Sequence, residues 1–274
     1  MAFDFPALFS LQGKVALITG GSRGIGRMLL EGFLGAGCER VYITARKREQ
    51  LAETEAAFNQ AYPGKVIGLP GDLSQMDDVK KLVEDLSARE TRLDVLVNNA
   101  GAAWGAEFGQ FPEAGWDKVM DLNVKSLFFL TQALFPLLKA AASADRPAKV
   151  INIASIDGMR PNPWETYSYQ ASKAAVIHLT RRMAARLIKD NVVASCIAPG
   201  AYPSEMNKAA ANNPEGSARG IPSRRVGVAE DIAGGAIYLA SRAGDYVVGT
   251  TIPIDGGIVN AWMPDEFQDP SGGH

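Results

Sequence analysis

One stretch limits what this chain can fold into more than any other. The apolar, β-branched run Lys14–Thr19 passes into Thr19-Gly20-Gly21-Ser22-Arg23-Gly24-Ile25-Gly26, and then into Arg27–Gly35 with apolar residues at helical spacing, Met28, Leu29, Phe33 and Leu34. Strand, glycine turn and helix follow one another without a gap. Glycines permit positive φ and close approach of another group to the backbone, and a helix N-terminus presents unpaired N–H donors at the positive end of its dipole. A glycine trio alone is weak, since a tight structural turn uses the same residues. In this setting it predicts a phosphate-binding turn of a first βαβ unit, with Gly20, Gly24 and Gly26 as its core positions.

The same rhythm continues along the chain. Further short apolar runs occur at Arg40–Ala45, Lys65–Leu69, Leu93–Asn98, Lys149–Ala154, Val192–Ile197 and Thr250–Ile254, with helix-length segments between them. Runs that are apolar on both faces suit parallel strands covered by helices on each side, and right-handed crossovers then give a doubly wound sheet. The expected fold is therefore α/β, a single-domain, Rossmann-type fold with a seven-stranded parallel sheet and helices on both faces. With 274 residues of which 47% are hydrophobic, the chain can fill such a core. No linker or repeat divides residues 1–274. Two segments depart from the rhythm: residues 199–226, rich in proline and asparagine with a short helix expected near Ser204–Ala211, read as a lid on the substrate side, and residues 259–274 read as a tail that either reaches a neighbouring subunit or is disordered.

Three features carry chemistry. After the second strand comes Ala45-Arg46-Lys47-Arg48, where an enzyme that holds a ribose 2′-hydroxyl often places an acid. Here the acid is missing, Ala45 leaves space, and Arg46 and Arg23 offer guanidinium forks that suit a 2′-phosphate, a reading favoured over a basic triplet that is only a solvated turn. Tyr169-Gln170-Ala171-Ser172-Lys173 opens a helix running to about Lys189, and residues four apart share one helix face. An ammonium beside a phenol favours phenolate and draws the phenol towards neutral-pH proton exchange. Such a Tyr-x-x-x-Lys pair also arises by chance. Ser155 follows the fifth strand, fourteen residues before Tyr169. It would then lie at the carboxyl edge of the sheet, where ligands bind, able to donate a hydrogen bond to a carbonyl oxygen; an isolated serine there would also serve as a cap or turn residue.

Charge excludes some functions. A net charge of −2 and a pI near 5.8 give no general attraction to nucleic acid or an anionic membrane. Cys38 and Cys196 lie far apart in apolar stretches and read as reduced core thiols. The N-terminal residues lack a basic leader followed by a long apolar run, so a cytoplasmic location is expected. His178 sits within a predicted helix and His274 is the last residue, and no metal site is assigned.

These motifs, together with Gly71-Asp72-Leu73, Asn98-Asn99-Ala100-Gly101, Leu122-Asn123-Val124 and Pro199-Gly200 in the same order, make the chain resemble the short-chain dehydrogenase/reductase family from about Gln12 to Gly257. The resemblance implies an NADP(H)-dependent oxidoreductase in which Asn123, Ser155, Tyr169 and Lys173 are catalytic, Asn123 holding a water linked to Lys173. It implies cofactor contacts from Gly20, Ser22, Arg23, Gly24, Ile25, Gly26, Arg46, Asp72, Leu73, Asn99, Ala100, Gly101, Tyr169, Lys173, Pro199 and Gly200. Ser204 stands where the family usually has threonine and keeps a hydroxyl for the nicotinamide carboxamide. The extended Ala140–Pro147 connection and the Gly200–Met206 and Ile252–Gly257 segments look like the rhamnolipid-associated 3-oxoacyl reductases. The substrate so implied is a 3-oxoacyl thioester on an acyl-carrier protein or coenzyme A. A sugar, steroid or aromatic ketone remains the alternative, and a non-catalytic NADP-binding regulator is a second one. Trp104, Met159, Trp164, Tyr202 and Met206 are candidate substrate contacts. A homotetramer is expected, with Val228, Ile232, Ala236, Ile237 and Leu239 as interface or core residues.

Overall fold

Seven of the apolar runs become seven strands in one parallel sheet of order β3-β2-β1-β4-β5-β6-β7. The computed structural model describes residues 4–261; the part of the expected tail from residue 262 onward lies outside the described residues. The strands are β1 Val15–Thr19, β2 Arg40–Ala45, β3 Val66–Pro70, β4 Val95–Asn98, β5 Ala148–Ile153, β6 Val192–Pro199 and β7 Thr251–Ile254. The helices are α1 Phe5–Phe9, α2 Gly24–Gly35, α3 Arg48–Ala61, α4 Met76–Ser87, α5 Glu113–Met120, α6 Ser126–Ala141, α7 Tyr167–Leu187, α8 Lys208–Asn212, α9 Pro214–Ala218 and α10 Ala229–Ala240.

Alternation along each strand divides the core between the two faces of the sheet. In β1, Val15 and Leu17 join the side chains of α4, α6 and α7, whereas Ala16 and Ile18 join those of α2, α3 and α10. Both sets are buried, which is why the strand sequence shows no polar alternation. Cys38 and Cys196 are free and buried, and burial raises their thiols to about 12 and about 11. Both are core thiols.

The sheet order reverses direction between β1 and β4, because the chain winds outward to β3 and then returns across β1. Such a switch point leaves a crevice at the carboxyl ends of the central strands. The register Ala16↔Val95 and Val95↔Lys149 keeps β1, β4 and β5 level, so Gly20, Asn99 and Ser155 emerge together at that edge.

The α10 stripe resolves mainly to core. Ile232, Ala236 and Leu239 of α10 are buried within the protomer, and α10 lies so close to α2 that a Cβ on Gly32 would come within 2.5 Å of the Ala233 Cβ. Their apolar stripe is spent on α2, and of the five residues only Val228 is exposed. A more extensive exposed apolar surface lies elsewhere. α5, a π-helical turn at Asp121–Lys125 and α6 run as one helical stretch, Glu113–Ala141, long and apolar enough by composition to cross a membrane. Trp116, Phe128 and Phe129 on it are exposed.

Candidate active site

A cavity of about 660 Å³ occupies the crevice. At one end is the turn after β1. Gly20 and Gly24 have φ of +68° and +52°, which any side chain would strain. A Cβ on Gly26 would lie 2.1 Å from the Gly20 carbonyl oxygen, so the first turn of α2 can fold back on the strand end only without one. Arg23 caps α2 without a side-chain hydrogen bond. The helix thus starts with its N-terminus facing the cavity and no side chain satisfying its first turn, an arrangement that accepts a phosphate. Thr19 Oγ1 accepts hydrogen bonds from the Asn99 and Ala100 amides, both 2.9 Å, while the Asn99 side chain donates to the Thr19 carbonyl at 2.8 Å. Through these bonds the β4 end and the glycine turn form one rigid rim.

Every residue expected to touch the cofactor lines this cavity: Gly20, Ser22 to Gly26, Arg46, Asp72, Leu73, Asn99 to Gly101, Tyr169, Lys173, Pro199, Gly200 and Ser204. The two arginines are already partnered. Arg23 pairs with Glu205, and Arg46 Nη1 lies 3.7 Å from Asp72 Oδ2. Ser204 Oγ accepts from the Asn207 amide at 3.0 Å, and its Cβ closes over Gly24.

At the other end stand Ser155, Tyr169 and Lys173. Ser155 extends β5 by two residues, is buried, and accepts the Asp157 amide at 3.1 Å. Ser155 neighbours the Tyr169 phenol and favours its ionised form. Lys173 is buried one turn along α7, its Nζ donating to the Ile153 carbonyl at 2.9 Å and lying 5.6 Å from the centre of the Tyr169 ring.

The electrostatics differ from the expectation of a lowered phenol. Burial pushes Tyr169 up to about 12, with the Ser155 hydrogen bond opposing and the Asp157 charge adding to it; burial draws Lys173 down to about 8, opposed by Cys196 and Asp157. In a dry site, desolvation of the charged form is the largest influence on each of the two groups. The phenol is therefore held protonated, as a proton donor must be.

Asn123 lies just outside the cavity, buried in the π-helical turn. Its amide is engaged by protein: Oδ1 accepts from Ala102 N at 2.8 Å, and Nδ2 donates to Ala102 O at 3.0 Å and Ser172 Oγ at 2.9 Å. It clamps the strand after β4 to α7. Gly101 packs closely beside it: a Cβ there would be 3.3 Å from Asn123 Oδ1 and 3.5 Å from Lys173 Nζ, so a side chain would press on the Asn123 amide.

Of the substrate candidates, Trp164, Tyr202 and Met206 line the cavity. Trp104 and Met159 do not. The Trp104 ring lies flush against Gly115, where a Cβ would approach it to 2.8 Å, and Lys118 sits over it at 5.2 Å, so it anchors its loop to α5. Met159 is exposed beyond the short 3-10 turn Ile156–Gly158. Sequence reasoning missed Asp157, Arg160, Asn162 and Glu205, which also line the cavity. Asp157 alone carried a signal, two residues after Ser155.

Comparison with known proteins agrees with this geometry. The short chain dehydrogenase family profile matches residues 14–215. The rhamnolipids biosynthesis 3-oxoacyl-[acyl-carrier-protein] reductase of Pseudomonas aeruginosa is 46% identical over 252 residues, covering 91% of this chain and 97% of that protein. The 2-dehydro-3-deoxy-D-gluconate 5-dehydrogenase of Escherichia coli is 36% identical, covering 91% and 96%. Among solved structures, the Pseudomonas aeruginosa RhlG/NADP active-site complex superposes with a TM-score of 0.88 at 45% identity, covering 92% of this chain and 99% of that one. A gluconate 5-dehydrogenase from Burkholderia cenocepacia in complex with NADP and tartrate superposes with a TM-score of 0.85 at 31% identity, covering 94% and 99%. From its glycine turn to its Ser155, Tyr169 and Lys173 cluster, the chain belongs to the short-chain dehydrogenase family.

Proposed function

We propose that this protein is an NADPH-dependent reductase that converts a ketone into a secondary alcohol, with a 3-oxoacyl thioester as its substrate. The observation that carries this reading is that Ser155, Tyr169 and Lys173 line one cavity with the Gly20–Gly26 turn, Lys173 Nζ lying 5.6 Å from the centre of the Tyr169 ring. The cavity fits the cofactor: the Gly26 site has no room for a side chain, α2 opens its N-terminus to a pyrophosphate, and Arg23 and Arg46 flank the place left by Ala45 for a 2′-phosphate. Bound NADPH supplies the hydride that joins the carbonyl carbon.

The chain's own residues handle the proton. Ser155 donates a hydrogen bond to the carbonyl oxygen and Tyr169 transfers its phenolic proton to it as negative charge develops. The phenolate left behind takes a proton from the Lys173 ammonium, which is restored from solvent through the cavity that Lys173 lines. Asn123 acts on this route by position, clamping Ala102 and Ser172 on either side. The reverse sequence oxidises the alcohol.

The thioester reading draws on the 46% identity to the 3-oxoacyl reductase and on Trp164, Tyr202 and Met206 as apolar wall. A second reading, a sugar-acid or polyol ketone, is favoured by Asp157, Arg160 and Asn162 on the same wall and by the two gluconate enzymes among the relatives. Comparing kcat/KM for acetoacetyl and longer 3-oxoacyl thioesters with that for keto-gluconates separates them: the thioesters lead if the first reading holds, and a clear lead for the keto-gluconates overturns it.

The segment 199–226, with α8 and α9 beyond β6, acts as a lid over the cofactor groove, a role supported by the approach of Ser204 to Gly24 and the pairing of Glu205 with Arg23. Self-association into a homotetramer in the cytoplasm completes the reading, and the apolar Trp116, Phe128 and Phe129 face supplies an interface in place of a membrane contact.

A further inference from the structure

Asp157 has no part in the proton route described above, yet the fold brings it to that route by three separate devices. The first is the turn that carries it. Ser155 Oγ accepts the Asp157 amide at 3.1 Å, which bends the chain directly after β5 into the 3-10 turn Ile156–Gly158. The second is Gly158. A Cβ there would lie 2.4 Å from the Lys173 carbonyl carbon and 2.6 Å from the Ala174 nitrogen, so the turn rests on the backbone of α7 at the position of Lys173, and only glycine allows it. The third is the loop that follows. Gln170, the neighbour of Tyr169, accepts the Asn162 amide at 3.3 Å and donates to Asn162 Oδ1 at 3.2 Å and to the Trp164 carbonyl at 3.1 Å. The loop after Asp157 is thus tied to the same turn of helix that holds Tyr169, and Asp157 lines one cavity with Tyr169 and Lys173.

We propose that Asp157 is a positioning residue of the proton route, a fixed negative charge that keeps the Tyr169 phenol and the Lys173 ammonium protonated for ketone reduction. The inference rests on the reading of Tyr169 as the proton donor. The charged and titratable groups around the carboxylate come from each element packed on it: Arg160 from its own loop, Tyr169 and Lys173 from α7, and behind Lys173 the neutral Cys196 of β6. Arg160 also donates to the Ile258 carbonyl at 2.8 Å. A negative charge at this place disfavours phenolate and favours ammonium, so it adds to the upward push of burial on Tyr169 and opposes the downward push of burial on Lys173. Burial in turn raises Asp157 itself, with Asn162, Arg160 and Lys173 restoring its charged form.

The test is the pH profile of kcat/KM for ketone reduction in the wild type, Asp157→Asn and Asp157→Glu, with the NADPH Kd of each variant measured by fluorescence to establish that the site is folded. Asparagine keeps the shape but removes the charge; glutamate keeps the charge. Loss of the charge lowers both neighbours, so the basic limb of the Asp157→Asn profile should move to lower pH by about one unit, while that of Asp157→Glu stays with the wild type and NADPH Kd changes less than about twofold in both. A basic limb unmoved in Asp157→Asn, whatever its kcat, overturns the proposal, because a merely structural role lowers the rate without moving the limb. Equal movement in both variants overturns it as well, since charge would then not be the cause. The underlying reading fails separately: it is lost if Tyr169→Phe turns over ketone at a comparable rate, and it stands if that variant is inactive while the Asp157→Asn limb stays in place.

Discussion

At the scale of the residue, cofactor choice turns on the β2 end. Ala45 opens the space and Arg46 flanks it, but Arg46 is more than half exposed and shares its charge with Asp72, as Arg23 does with Glu205. Exposed pairs of this kind contribute about 0–1 kcal/mol, whereas a charge-assisted bond to phosphate contributes about 1.5–3 kcal/mol, so the phosphate wins the arginines from their carboxylates at a modest cost. With about 1.4 kcal/mol per tenfold and discounting for exposure, Ala45→Asp with Arg46→Ala should weaken NADPH binding by roughly tenfold or more and leave NADH little changed. The check is kcat/KM for both cofactors at fixed ionic strength; an unchanged ratio would reduce these arginines to a solvated turn. The cofactor-side residues were legible because each sits in a local motif with a fixed relation to a strand end. Asp157 and Arg160 were not, since their place in the cavity comes from Gly158 resting on α7, a contact between segments that no local pattern records.

At the scale of the element, the glycine turn and the α5–α6 helix carry the site. Gly26 is where β1 and α2 meet: an added Cβ would stand 2.1 Å from the Gly20 carbonyl oxygen and 2.7 Å from Asn99 Nδ2. Neither is the free end of a flexible chain, so Gly26→Ala must displace α2 from the strand, with a stability loss of about 1–3 kcal/mol and a loss of NADPH affinity well beyond tenfold. Thermal denaturation and fluorescence titration of one sample measure both; retention of wild-type affinity would mean that the close approach does not matter. The strands were readable from runs apolar on both faces, and the order of the motifs along them matched the crevice. The helix faces were less readable. The stripe on α10 looks the same whether it meets another subunit or α2, and only the small residues Gly32 and Ala233, which let the two helices touch, distinguish the cases. The π-helical turn at Asp121–Lys125, which turns Asn123 toward Ala102 and Ser172, has no sequence signature of its own.

At the scale of the whole molecule, the exposed aromatic residues Trp116, Phe128 and Phe129 of Glu113–Ala141 and the cavity at the sheet's carboxyl edge are where the proposed assembly and activity meet their tests. If that face is the subunit interface, light scattering at micromolar concentration reports a tetramer, and Phe128→Glu with Phe129→Glu yields a smaller species; a wild-type monomer contradicts the assembly. The central claim is narrower: the cavity reduces a ketone, with Tyr169 giving up the proton. Its most direct measurement is NADPH oxidation driven by a 3-oxoacyl thioester in the wild type and in Tyr169→Phe, alongside NADPH binding. The substitution keeps the ring against Lys173 and removes only the hydroxyl that meets Ser155. General acid catalysis contributes about 10²–10⁴-fold, so kcat should fall by at least about a hundredfold while NADPH Kd stays within about threefold. Turnover by Tyr169→Phe comparable to that of the wild type would contradict the account.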